Sequence, residues 1–136
     1  MPLIRLPRPL IAVLLAGAAW GGLLAPAVAA ADGEAAFTAK VWPIIDNSCT
    51  GCHGADKQKG KLRLDTRAGW LKGGEDGQIV VPGNPEKSLV MDAIRHTTKD
   101  EDQYMPPKKK KQLTKDEIAI IGDWIKAGMP WPEAKK

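Results

Sequence analysis

Apolar positions recur at helical spacing in two widely separated parts of the chain. In the run GEAAFTAKVWPIIDNSC, residues 33–49, Phe37, Val41, Ile44 and Ile45 fall on one side of a helix. Pro43 interrupts this run and predicts a kink or a second start, because proline supplies no N–H and its ring crowds the preceding turn. The second run is LTKDEIAIIGDWIKAGMP, residues 113–130. Ile118, Ile121 and Ile125 repeat at helical spacing, Thr114 and Glu117 form a capping box, and Gly128 and Pro130 stop the helix. Between the two runs the elements are short. KLRLDT alternates apolar and polar positions and reads as a strand or an extended segment. Asp65 or Thr66 caps a short helix through Leu71 that Gly73 and Gly74 end. Asn84 and Pro85 start a helix that reaches about His96. GGEDGQIVVPGNP and TTKDEDQYMPPKKKKQL read as loops. The pattern predicts an all-α domain with long loops. Its first and last helices meet through Phe37, Val41, Ile121, Trp124 and Ile125.

The beginning of the chain follows a different pattern. Residues 1–9 carry Arg5 and Arg8 and no acid, residues 10–24 are almost wholly apolar, and the small-residue stretch APAVAAAD follows. This order is that of a secretory signal peptide, with cleavage near residues 29–31. The expectation is a signal at residues 1–30, a single domain at 31–136, and a periplasmic or otherwise exported protein. The apolar run is shorter than the roughly 20 residues that span a bilayer comfortably, so a membrane anchor is the minor alternative, in which the segment stays uncleaved.

Charge changes this picture little. The formal net charge is +4, and removing Arg5 and Arg8 with the signal leaves +2. That excess forms no basic stripe of the kind nucleic acid requires. The mature part is poor in large side chains, with one Phe, one Tyr and four of the five Trp. A domain this small buries only a moderate share of its surface, which leaves room for something else to contribute to the core.

The chemistry is concentrated in NSCTGCHG, residues 47–54. It holds both cysteines and one of the two histidines. A disulfide between Cys49 and Cys52 leaves His53 unexplained. A zinc site needs about four ligands, and only His96 remains to join from the Cys and His set. A thioredoxin-like pair belongs with a βαβ pattern that is missing here. Covalent haem attachment uses all three residues: the two thiols form thioethers and the adjacent imidazole reaches the iron. An export signal agrees with that reading, because c-type haem is joined outside the cytoplasm.

The iron then has a second face. Met91, His96, Met105 and Met129 are the candidates in the mature chain. Met91 lies in an apolar helical run and reads as core filler. Met129 follows the last helix and covers its end. His96 ends a helix, where a histidine also serves as a C-terminal cap, and it is the alternative sixth ligand. Met105 sits in a polar loop with no apolar neighbours in sequence, and Pro106 and Pro107 stiffen the chain behind it. Met105 is the favoured ligand. A His53/Met105 pair favours ferrous iron relative to two imidazoles and leaves no open site, which suits electron transfer. Arg63, Arg67 and Trp70 are candidates for binding haem propionates through guanidinium and indole N–H groups. Lys108, Lys109, Lys110 and Lys111 are a candidate docking patch for an acidic redox partner, partly offset by Asp100, Glu101 and Asp102.

The pieces CxxCHG, KGKLRLDTR, VPGNPEKS, AIRH, MPP and WIKAGMPWP together resemble the Planctomycete-type cytochrome c domain, over about Phe37 to Glu133. The resemblance implies a small c-type cytochrome fold, with the terminal helices packed around one covalent haem c. It also implies His and Met iron ligands and places the Met at the MPP of Met105. In that family the domain is often part of a larger protein, whereas this chain reads as a single domain. The functional expectation is an exported mono-haem electron carrier rather than an enzyme. The alternatives are a haem sensor or peroxidase-like enzyme with a labile sixth ligand, and a haem subunit of a larger oxidoreductase complex.

Overall fold

A computed structural model describes residues 25–133. Most of the segment expected to be an export signal, residues 1–24, lies outside the described residues. Among the described residues no helix is long and apolar enough to cross a membrane. They contain five α-helices and no strand; the only ladder contacts are isolated bridges, His53 with Gln58 and Gly74 with Gly77.

The described residues begin as one nearly continuous helical rod. Helix α1, Ala25–Ala36, passes into a π-turn at Phe37–Val41, then α2, Trp42–Ile45, and a second π-turn at Asp46–Thr50. The expected break at Pro43 takes this form. Pro43 falls in the first turn of α2, and the wider π-turn before it absorbs the donor that proline lacks. The rod buries Phe37, Val41, Ile44 and Ile45, the four positions that the sequence pattern places on one side.

Helix α5, Lys115–Lys126, is the other wall of the core. The Thr114 hydroxyl accepts from the Glu117 N–H, and the Glu117 carboxylate accepts from the Thr114 N–H. Replacing Thr114 by alanine removes half of this box. It is expected to lower stability by about 1 kcal/mol, measured as a shift of the denaturant midpoint with an unchanged slope.

The two walls meet through aromatic rings. Phe37 lies 5.7 Å from Trp124 and 4.4 Å from Trp131, and Trp70 stands edge-on to Trp124 at 5.0 Å. Ile121, Trp124 and Ile125 of α5 join Phe37 and Val41 in one core cluster, as expected.

The intervening elements are short. Thr66 caps α3, Arg67–Lys72, and Gly73 ends it at φ +75°. KLRLDT forms no strand: Lys59–Lys61 make a 3-10 turn, and the chain continues extended from Leu62. The helix expected from Asn84 to His96 is divided. Asn84 caps a 3-10 turn at Pro85–Lys87, the chain extends at Ser88, and α4 runs over Leu89–Arg95. Ser88 is the reason for the division. Its buried hydroxyl lies 2.8 Å from the Asn84 carbonyl oxygen and accepts from the Val81 N–H, so it ties the turn to the preceding loop.

Candidate haem-attachment site

Cys49, Cys52 and His53 are brought together where the N-terminal rod ends. The Cys49 carbonyl accepts from the N–H groups of both Cys52 (3.1 Å) and His53 (2.9 Å), so the chain turns on that one oxygen. Gly54 completes the turn. A Cβ there would collide with the Thr50 carbonyl, which accounts for the glycine after the histidine. Both thiols are free. Cys49 packs against the core cluster, and burial pushes its thiol up to about 12, so it stays protonated at neutral pH.

The segment after the turn wraps around His53. The His53 carbonyl accepts from Leu64 N–H at 2.7 Å, and its ring Nδ1 lies 3.0 Å from the Lys59 carbonyl oxygen. A carbonyl only accepts, so Nδ1 carries the proton and Nε2 carries the lone pair. Burial lowers the imidazole pKa below its ordinary value. The Lys59 and Leu62 carbonyls oppose that shift, and the charge of Lys59 adds to it. A neutral, oriented imidazole is the form that binds a metal.

Met105 belongs to a second cluster, at the C-terminal end of α4. Its N–H donates to the Ala93 carbonyl at 3.0 Å, which also accepts the His96 N–H. His96 caps α4 in the left-handed conformation, φ +58°. That region costs a residue with a Cβ about 1–2 kcal/mol. The His96 ring does not stand apart as a free ligand. Its Nε2 lies 3.1 Å from the Pro106 carbonyl oxygen, and its face stacks on Tyr104 at 4.5 Å with the planes 9° apart. The residues on both sides of Met105 are therefore held by one imidazole. The sequence read His96 as a rival ligand or a helix cap; its link to Tyr104 and Pro106 depends on a loop closure that no local pattern announces.

Each of the expected propionate ligands has a protein partner, although the arginines keep further N–H donors. The indole N–H of Trp70 donates to the Leu64 carbonyl at 2.9 Å inside the core, and an indole has no second donor. Trp70 is buried here, and this bond fixes the segment beyond His53. Arg67 Nε donates to the Met129 carbonyl at 3.2 Å. Arg63 makes a two-pronged pair with Asp65, at 2.8 and 2.9 Å, which holds the Asp65 carboxyl below its usual range. Arg63 and Asp65 line a cleft of about 470 Å³ with Trp42, Thr50 and Gly54, beside the attachment turn. Met91 and Met129 are buried in the core, at 1% and 0% exposure. Lys108 is bound to Glu101 at 2.7 Å and lies over the Tyr104 ring, while Lys109, Lys110 and Lys111 are exposed.

Residues 49–109, from the first thiol to just past the Met105 loop, match the family model of Planctomycete cytochrome C. The matched stretch coincides with the Planctomycete-type cytochrome c domain that the sequence motifs resemble. No curated protein and no solved structure matches the chain. A match to a cytochrome c domain suggests a haem-binding, electron-transfer role and implies a covalently held haem c. The residues present fit that group. Two free thiols flank one turn, a neutral imidazole has its outer nitrogen committed to a carbonyl, and a thioether sits in a loop held at both ends.

Proposed function

We propose that this cytochrome c domain is an exported mono-haem electron carrier, ligated by His53 and Met105 and attached through Cys49 and Cys52. The observation that carries the reading is the donor set. The haem supplies a one-electron iron couple held in the protein by thioether bonds. The chain's own residues do the rest. Lys59 orients the His53 ring, and the α4 terminus fixes the backbone of Met105. Electron transfer is fastest when ligand geometry changes little between oxidation states, and a rigidly mounted ligand pair meets that need. The same mounting speaks against a labile sixth ligand, and so against the sensor and peroxidase readings. Partners dock at the exposed Lys109–Lys111 edge, with Lys108 already neutralised by Glu101. Export follows from the signal-like opening of the sequence, because the thioether bonds are made outside the cytoplasm.

Optical spectra of the ferric and ferrous protein test the proposal. The expected result is a low-spin spectrum in both states, with the weak far-red band of thioether-ligated ferric iron. Ferrous protein is expected to bind carbon monoxide slowly. Rapid carbon monoxide binding by the wild-type protein would instead support a sensor or enzyme.

A further inference from the structure

We infer that His96 is a positioning residue for the Met105 ligand, a brace that sets how tightly the thioether is held, rather than a ligand or a simple helix cap. The inference rests on the His53/Met105 reading and assigns a regulator of that same site.

Three observations meet at this residue. The dipeptide Met105–Pro106 offers only three backbone hydrogen-bonding groups, since proline has no N–H. Two of them are bound by the end of α4: Met105 N–H by the Ala93 carbonyl, and the Pro106 carbonyl by His96 Nε2–H. The residue before Met105 is bound as well, because Tyr104 stacks on the same imidazole. Lys108 then lies over the Tyr104 ring, 5.4 Å from its centroid, and is tied to Glu101. The loop is thereby clamped on both sides of the ligand.

The backbone adds an independent argument. His96 stands at a left-handed helix end, where glycine is the residue that fits without strain. A residue serving only as a stop would gain from being glycine. The imidazole is kept at a position that disfavours it, and what it does there is to grip Tyr104 and Pro106. The bond also commits one of the two ring nitrogens. A carbonyl accepts at Nε2, so Nε2 carries the proton and has no lone pair for a metal.

The test uses the holoprotein and exogenous imidazole, which must displace Met105 to bind ferric iron. Its apparent affinity therefore reads the grip on the thioether. His96→Gly relieves the backbone strain and removes the brace. It is expected to keep the far-red band and the thermal midpoint within a few degrees. Imidazole affinity is expected to rise about tenfold, the effect of losing one hydrogen bond and one stacked ring. Amide exchange at Met105 should accelerate by a similar factor. His96→Gln, whose side-chain amide can still donate to Pro106 but cannot stack on Tyr104, should bring the rise down to about threefold. If His96→Gly does not fold, Tyr104→Leu removes the stacking partner alone, and a rise of about threefold is expected. Unchanged imidazole affinity in His96→Gly, or in Tyr104→Leu where the glycine variant is lost, overturns the brace. Failure of the ligand reading looks different. In that case the far-red band is missing from the wild type, or survives Met105→Ala, or the low-spin spectrum disappears with His96→Gly.

Discussion

Chain carrying Cys49→Ser together with Cys52→Ser retains no haem through acid–organic extraction, and its intact mass lacks the one-haem increment of the wild type: this is the largest effect expected of any substitution. Loss of the fold should follow. Cys49 packs directly against the core cluster, so a macrocycle anchored there would contribute apolar surface to that cluster. Leu62, Leu71, Ile79, Leu113 and Ile118 lean on the same cluster and are only partly buried. A domain of this size has about 5–15 kcal/mol of net stability. A covalently retained group that favours the folded state can account for much of it. The double variant is expected to lose most of its helical circular dichroism and its sharp thermal transition. Cys52→Ser alone keeps the anchor at Cys49 and should fall in between. Wild-type helicity and cooperativity in the double variant would show that the haem is not structural.

The second large effect is expected at Met105. Met105→Ala removes the thioether but leaves the backbone N–H that bonds Ala93, so the loop keeps its anchor while the proposed ligand is lost. The far-red band should vanish, and ferrous protein should bind carbon monoxide rapidly. The reduction potential should fall by on the order of 0.1 V, a part of the roughly 0.8 V range that axial ligands command. Met91→Leu and Met129→Leu are the controls. Both residues are fully enclosed in the core, and a volume-conserving swap there usually costs less than about 1.5 kcal/mol. Their spectra and potentials should match the wild type. A silent Met105→Ala would move the ligand elsewhere and remove the basis for the electron-carrier proposal.

Much of the architecture was readable from residue order alone, for reasons of range. The Thr114–Glu117 capping box, the Thr66 and Asn84 caps and the stop at Gly73 involve groups within a few residues of one another, so local chemistry decides them. The apolar side made by Phe37, Val41, Ile44 and Ile45 survives the π-turns because helical periodicity is kept nearly intact across them. The CxxCH cluster is likewise a matter of adjacent residues, and its haem chemistry follows from residue types at fixed spacing. Beyond these local features, tertiary contacts decide the outcome. The helix expected from Asn84 to His96 divides at Ser88 because its hydroxyl is engaged by Val81 and Asn84. The Trp70 indole N–H is consumed by Leu64, a partner six residues away whose orientation no pattern specifies. His96 shows the difference most clearly. Sequence placed it at a helix end and left its ring free to serve as ligand or cap. Only closure of the loop from Thr97 to Pro106 brings Tyr104 onto its face and the Pro106 carbonyl to its Nε2, and a hydrogen bond made across a loop closure is set by packing, not by the order of residues.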